Sequence, residues 1–285
     1  MIRPAVVLGL VAVAACSTGA TPSSEPAPKT GAPSGSERAP AAAPARGGAI
    51  LYRPVSASTY ALERRDSLTL ELPGGGNQVQ QFARTAYVSV AIAEASGGYR
   101  TTIRLDSLRQ EAGGTVSADS VLRAEGTTWT GMLTPQGRLG ELKADRASVV
   151  ADQVGTSLGV LFPVLPAAGL QEAASWTDTT ERALRTDAFD AKERAVTSYR
   201  VLKVENRVYT IDAATAFQRT GSGGQATQPM EMTSQGTRKS VYRFGAEGAV
   251  VGAEGADSAE MTITVPAVGQ TVPVRQRASW KISKK

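Results

Sequence analysis

Side chains suited to covalent or proton-transfer chemistry are scarce in this 285-residue chain. It contains no histidine, and its single cysteine is Cys16. Histidine general bases, zinc centres built on His or Cys and intrachain disulfides are therefore excluded. Gly155-Thr156-Ser157-Leu158-Gly159 has the spacing of a G-x-S-x-G nucleophile elbow. Such an elbow needs a strand before the serine and a histidine to take its proton, so Ser157 reads as a helix residue instead. Asp178, Asp187, Asp190 and Glu193 gather after Trp176, with Arg182, Arg185, Lys192 and Arg194 interleaved. A calcium loop would want closely alternating oxygen ligands around a glycine turn, and the mixed charges fit exposed ion pairing better. The glycine-rich pieces at 74–77 and 221–225 lack the lysine and spacing of a phosphate loop and read as hairpin turns. No catalytic residue, metal ligand or cofactor site is expected, and the chain is expected to act without catalysis.

One residue does carry chemistry by its position. Residues 1–15 hold an early Arg3 and then an apolar run too short to span a bilayer as a mature helix, so they read as a secretory signal peptide. The ending Val13-Ala14-Ala15-Cys16 resembles the lipobox of bacterial lipoproteins. The resemblance implies cleavage before Cys16, a diacylglycerol on its sulfur, and further acylation, of the palmitate kind, on its amine. Ser17 is similar to the outer-membrane sorting choice of such proteins. A lipid-anchored place in the cell envelope follows, at the outer membrane, facing the periplasm or the cell surface. Two or three acyl chains, at ~0.8 kcal/mol per buried methylene, anchor far more firmly than one.

Residues 16–48 are Pro, Ala, Ser and Gly without apolar periodicity, the composition of a disordered tether. About 32 residues of such coil average roughly 30 Å end to end, enough to hold a domain clear of a membrane surface. The net charge is +5, with Lys and Arg scattered and nearly matched by Asp and Glu. A nucleic-acid surface would need a basic stripe with interleaved aromatics, and none is present. The expected partners are the membrane, through Cys16, and either an apolar small molecule or an envelope protein.

From residue 49 to the end the pattern has period two. Tyr60, Leu62, Leu68, Leu70 and Leu72 alternate, then Phe82, Ala86, Val88, Val90 and Ile92, with turn residues between the runs. A similar order recurs about 111 residues later: 87–108 is matched by 199–217, and 126–142 by 236–253. The expectation is one mainly β domain over 49–285, built of two sequence-related halves, 49–142 and 177–285, joined by a helical connector over 143–176. Val150, Val154, Leu158 and Leu161 place an apolar stripe on one amphipathic helix that stops before Pro163. Gly155 and Gly159 would let that helix approach the sheet closely. Long strands with short turns predict a curved antiparallel sheet or half-open barrel with the helix packed on it. This outline resembles the half-barrel lipid carriers and lipoproteins of bacterial envelopes, the LolA and LppX type.

Phe162-Pro163-Val164-Leu165-Pro166, followed by Ala174-Ser175-Trp176, forms the junction after the helix and is similar to junctions in β-rich bacterial lipoproteins. Two prolines fix an extended path flanked by Phe162, Leu165 and Trp176. Those three residues read either as a lid over an apolar ligand cavity or as core packing where the helix hands the chain back to the sheet. The functional expectation is binding of a lipid or other apolar ligand in the concave face of the sheet. The alternative is a structural or assembly module that docks another envelope protein.

Overall fold

The computed structural model describes residues 49–72, 75–111, 117–186, 189–225 and 228–285. Cys16, the signal peptide, the tether and Asp187 lie outside them.

Eleven strands form one antiparallel sheet that is not closed. They are β1 (Val55–Leu72), β2 (Gly76–Ala95), β3 (Gly98–Gln110), β4 (Thr128–Leu133), β5 (Lys143–Ala144), β6 (Ser175–Thr186), β7 (Phe189–Glu205), β8 (Val208–Gln225), β9 (Gln228–Gly245), β10 (Ala249–Val265) and β11 (Gln270–Lys284). Their order across the sheet is β5-β4-β3-β2-β1-β11-β10-β9-β8-β7-β6. The chain thus makes one meander from the middle to one edge, crosses over, and makes a second from the far edge back to β1. Both meanders advance in the same direction. The recurring segments occupy matching places: β2–β3 in the first meander answer to β7–β8 in the second, and β4 to β9.

Period-two alternation sets which side chains turn inward. Tyr60, Leu62, Leu68 and Leu70 of β1 are all buried on one face, as are Val88, Val90 and Ile92 of β2 and Val272, Val274, Trp280 and Ile282 of β11. We call this the inner face. Glycine makes room for its largest members: a Cβ on Gly236 of β9 would collide with the Phe217 ring and the Ser258 carbonyl.

The connector differs from the expected single helix. Its helix spans only Val149–Gly155, followed by a 3-10 turn at Leu158–Leu161. The four stripe residues Val150, Val154, Leu158 and Leu161 are nonetheless all buried. The break falls where helix propensity is lowest, at Gly155, Thr156 and Ser157. There the hydroxyls of Thr156 and Ser157 bond back to the Gln153 carbonyl, at 3.0 and 3.4 Å. Ser148 caps the start of the helix, its hydroxyl accepting from the Ala151 amide. Gly155 and Gly159 do permit close approach. A Cβ would stand 2.9 Å from the Trp129 indole nitrogen at the first and 3.0 Å from the Arg182 guanidinium at the second.

We number this connector helix α2, because a second short helix, α1 (Ala118–Ala124), precedes β4. It lies where the sequence pattern was least decisive, and it covers β3 beyond the reach of β4. The Gly126 amide donates to the Leu105 carbonyl at 2.7 Å, and the Leu108 amide to the Glu125 carboxylate at 2.9 Å. After β4 the chain contributes only a single bridge, Leu133 to Leu139, and the two-residue β5.

The two sheet edges meet. Eleven strands laid flat would separate β5 from β6 by about 48 Å. Yet Arg138, in the turn after β4, pairs with Asp178 of β6 and reaches the Thr179 carbonyl at 3.5 Å. The sheet is therefore strongly rolled, with the connector inside it and its open seam between β6 and the β4–β5 edge. Connector residues share a core with β1–β4 and β7–β11 at one end of the roll.

Candidate functional site

Phe162, Leu165 and Trp176 are brought together at the seam. The Leu165 amide donates to the Gln136 carbonyl at 2.7 Å, on the β4–β5 side. The Trp176 indole donates to the Val164 carbonyl at 2.8 Å, on the β6 side. The Tyr52 hydroxyl holds the Pro163 carbonyl at 3.0 Å, and the Phe162 and Tyr52 rings lie 6.0 Å apart. Trp176 stacks on Tyr199 at 5.0 Å. Pro163 and Pro166 lack amide donors, so this extended strap, which donates from Leu165 and accepts at Pro163 and Val164, bonds to both sides without continuing the ladder. Phe162 and Leu165 are buried and Trp176 half-buried. The three side chains close the seam by packing, as a strap tied to both edges.

Beneath the connector the inner face changes character. On β1, Arg64 and Asp66 stand in phase with Tyr60, Leu62, Leu68 and Leu70, so the same alternation that buries the leucines turns two charges inward. The same happens on five other strands. Arg182 of β6, Glu193 of β7 and Arg219 of β8 lie side by side in register, and Arg238 of β9 lies opposite Asp257 of β10. The result is a charged belt across the inside of the roll.

Its geometry is that of charge-assisted hydrogen bonds. Glu193 accepts from Arg182 at 2.7 Å and from Arg219 at 2.6 Å, one oxygen to each. Asp257 accepts from Arg238 at 2.9 Å and from the Trp280 indole at 3.3 Å, with Arg64 at 3.7 Å. Arg64 grips Asp66 bidentately, both distances 2.8 Å, and Gln276 donates to Asp66 at 3.2 Å. Between Arg219 and Arg238 lies the Phe217 ring, with the two guanidinium carbons 4.5 and 5.7 Å from its centre. On the connector side, Arg84 of β2 donates to the Gln153 carbonyl and the Ser157 hydroxyl.

The electrostatics follow from burial and crowding. Burial alone would raise the Glu193 carboxyl, but Arg182, Arg219 and Arg238 outweigh it and hold it down to about 2. Burial, and after it the neighbouring Arg238 and Arg219, holds the Arg182 guanidinium below its usual value despite Glu193.

Below the belt comes a second apolar cluster: Leu68, Leu70, Met230, Met232, Met261, Ile263, Val272 and Val274, with Ala191. It holds three of the chain's five methionines, and no connector residue belongs to it. Two polar atoms at its margin, Ser234 Oγ and Gln80 Oε1, are buried with no hydrogen-bond partner among the described residues. Along the roll the inner face is therefore apolar under the connector, charged in the middle and apolar again beyond.

The carboxylates singled out from the sequence divide. Asp178 and Glu193 are in ion pairs, as expected, but their carboxylates are buried, at 4% and 2% exposure, rather than solvated. Glu181 pairs with Arg194 at 3.6 Å on the solvent face, where both are exposed. Asp190 is exposed as well. Ser157 follows a helix rather than a strand, so its context is not that of a nucleophile elbow. Among the described residues no group of three or more His, Cys, Asp or Glu could hold a metal ion. Sequence reading missed Arg64, Arg219, Arg238 and Asp257. Their signal was available as charges in phase with a buried apolar alternation.

Comparison with protein-family models and with curated proteins finds no match to this chain.

Proposed function

We propose that this chain is a lipid-anchored protein of the bacterial envelope that binds an apolar molecule inside the half-open barrel and catalyses no reaction. The observation that carries the reading is the second apolar cluster. It lines the inside of the roll, away from the connector, with Met230, Met232 and Met261 at its centre. Methionine is flexible and polarisable, and it suits surfaces that adapt to apolar ligands. The cluster is packed, its members no more than 6% exposed, so a ligand would enter by displacing these flexible side chains; the polar atoms at its margin, Ser234 Oγ and Gln80 Oε1, fit the make-up of a small-molecule site. The seam, at the connector end of the roll, is tied by hydrogen bonds and one ion pair instead of a ladder, which provides a way into the roll.

Docking of another envelope protein is less well supported. Among the described residues, the exposed large apolar side chains Leu72, Val79, Leu122, Met132, Val149, Val196 and Leu202 are spread over β1, β2, α1, β4, α2 and β7. Scattered single residues are ordinary surface and make no contiguous patch.

The test is native mass spectrometry of the full chain, extracted from its own host's envelope with a neutral detergent. We expect an apolar molecule bound at about one per chain, lost when Met232→Asp places a charge in the cluster. A chain that comes out empty and takes up nothing from added lipid extract would overturn carriage in favour of docking.

A further inference from the structure

We propose that the molecule held in the half-barrel is an anionic amphiphile, its carboxylate or phosphate head bound by Arg182, Arg219 and Arg238 and its chain laid along the second apolar cluster. This rests on the carrier reading above and adds the chemical class of the ligand.

The first argument is charge. The belt sets four guanidiniums, Arg64, Arg182, Arg219 and Arg238, against three carboxylates, Asp66, Glu193 and Asp257. The imbalance is greatest around Glu193, where Arg182, Arg219 and Arg238 all act on one carboxylate. Arg219 and Arg238 have side chains only 14% and 15% exposed, so water screens little of the surplus. A surplus cation taken out of water is costly unless an anion accompanies it.

The second argument is the supply of donors. Arg219 and Arg238 each engage a carboxylate through Nε. Among the described residues their terminal Nη groups make no hydrogen bond, although each guanidinium carries five N–H donors in a planar fork matched to carboxylate and phosphate oxygens. Ser234 adds a hydroxyl. It is 6% exposed, lies directly opposite Arg219 in the β8–β9 register, and has no hydrogen-bond partner among the described residues.

The third is adjacency. Ser234 lies opposite Met261 in the next pair of strands, and Met232 is two residues along β9 on the same face. On β1 the step from Arg64 and Asp66 to Leu68 and Leu70 repeats the pattern. A head at the belt leaves its chain directly on the apolar cluster. A neutral lipid would strip water from these guanidiniums and return no charge.

The experiment titrates the full chain, held in phosphatidylcholine nanodiscs, with dodecanoate, dodecyl phosphate and dodecanol, subtracting empty discs. Either anion is expected to bind at least tenfold more tightly than the alcohol, and the two anions between them identify the head as carboxylate or phosphate. Arg182→Gln should reduce that preference severalfold and leave the alcohol unchanged; Arg219 still satisfies Glu193 in this variant. Equal binding of anions and alcohol would overturn the charge assignment and leave carriage standing. Binding of none of the three would overturn carriage itself. The comparison on the unaltered chain decides the matter even if a variant fails to fold.

Discussion

Glu193 shows how one residue takes its role from its neighbours. It is a carboxylate on a strand, in sequence no different from Glu181, yet one is exposed and the other sits among three guanidiniums. Its ordinary value of 4.5 is held down to about 2, so the unfolded chain binds its proton more readily than the folded one. The stabilisation is therefore complete above about pH 4.5 and fades as pH falls towards 2. The size is on the order of 3 kcal/mol. Urea unfolding of the chain and of Glu193→Gln should differ most at neutral pH and converge at pH 2–3. A pH-independent difference would mean that the carboxylate is not held by the arginines. This part of the site was half legible in the sequence. Arg182 and Glu193 stood out in the sequence as members of a mixed-charge cluster, but that they meet on a buried face depends on the β6–β7 register.

At the scale of elements, the seam decides whether the roll is a closed wall or a wall with a gate. Among the described residues no ladder joins β5 to β6, the two ends of the sheet. In its place stand the Phe162–Pro166 strap and the Arg138–Asp178 pair. Arg138 is half exposed whereas Asp178 is buried, so removing the arginine leaves a buried charge without its partner. Arg138→Ala should cost about 1–3 kcal/mol. It should also speed hydrogen exchange at the Leu165 amide, which bonds to Gln136 one residue from the turn's Gly137. Unchanged exchange at Leu165 would show that the pair does not hold the seam. The prolines made the extended strap readable from the sequence. Its two-sided attachment was not, because Gln136 and Trp176 are brought to it only by the rolling of the sheet.

For the whole molecule, the relevant arrangement is layered: an apolar core under the connector, a charged belt, and a second apolar cluster, all on one inner face. If Cys16 carries the proposed lipid anchor, a coil of about 32 residues would let such a roll stand off the membrane but within reach of it. Cys16→Ser should abolish acylation, read as loss of the acyl mass in intact-protein mass spectrometry. Persistence of that mass would end the lipobox reading. A chain beginning at Gly47 should melt at the same temperature as the full mature protein, since the described core draws on residues from 50 onward. A clear drop would assign the tether a structural part.

Local physics was written plainly in the sequence. Period-two alternation and turn residues determined the β class and most of the inward set of β1 and β2, because a strand's side chains take opposite faces whatever the tertiary context. The absence of histidine determined which chemistry was excluded. The connector's stripe determined which residues would be buried, though not the helix length, which yielded to Gly155, Thr156 and Ser157. Only the tertiary structure decided that eleven strands would roll until Arg138 met Asp178, and that arginines on four strands would share three carboxylates. Those pairs are separated by 2 to 193 positions in the chain, and nothing local ties Arg64 to Asp257. Sheet curvature and strand order set such distances, and both arise from the summed twist and packing of every strand.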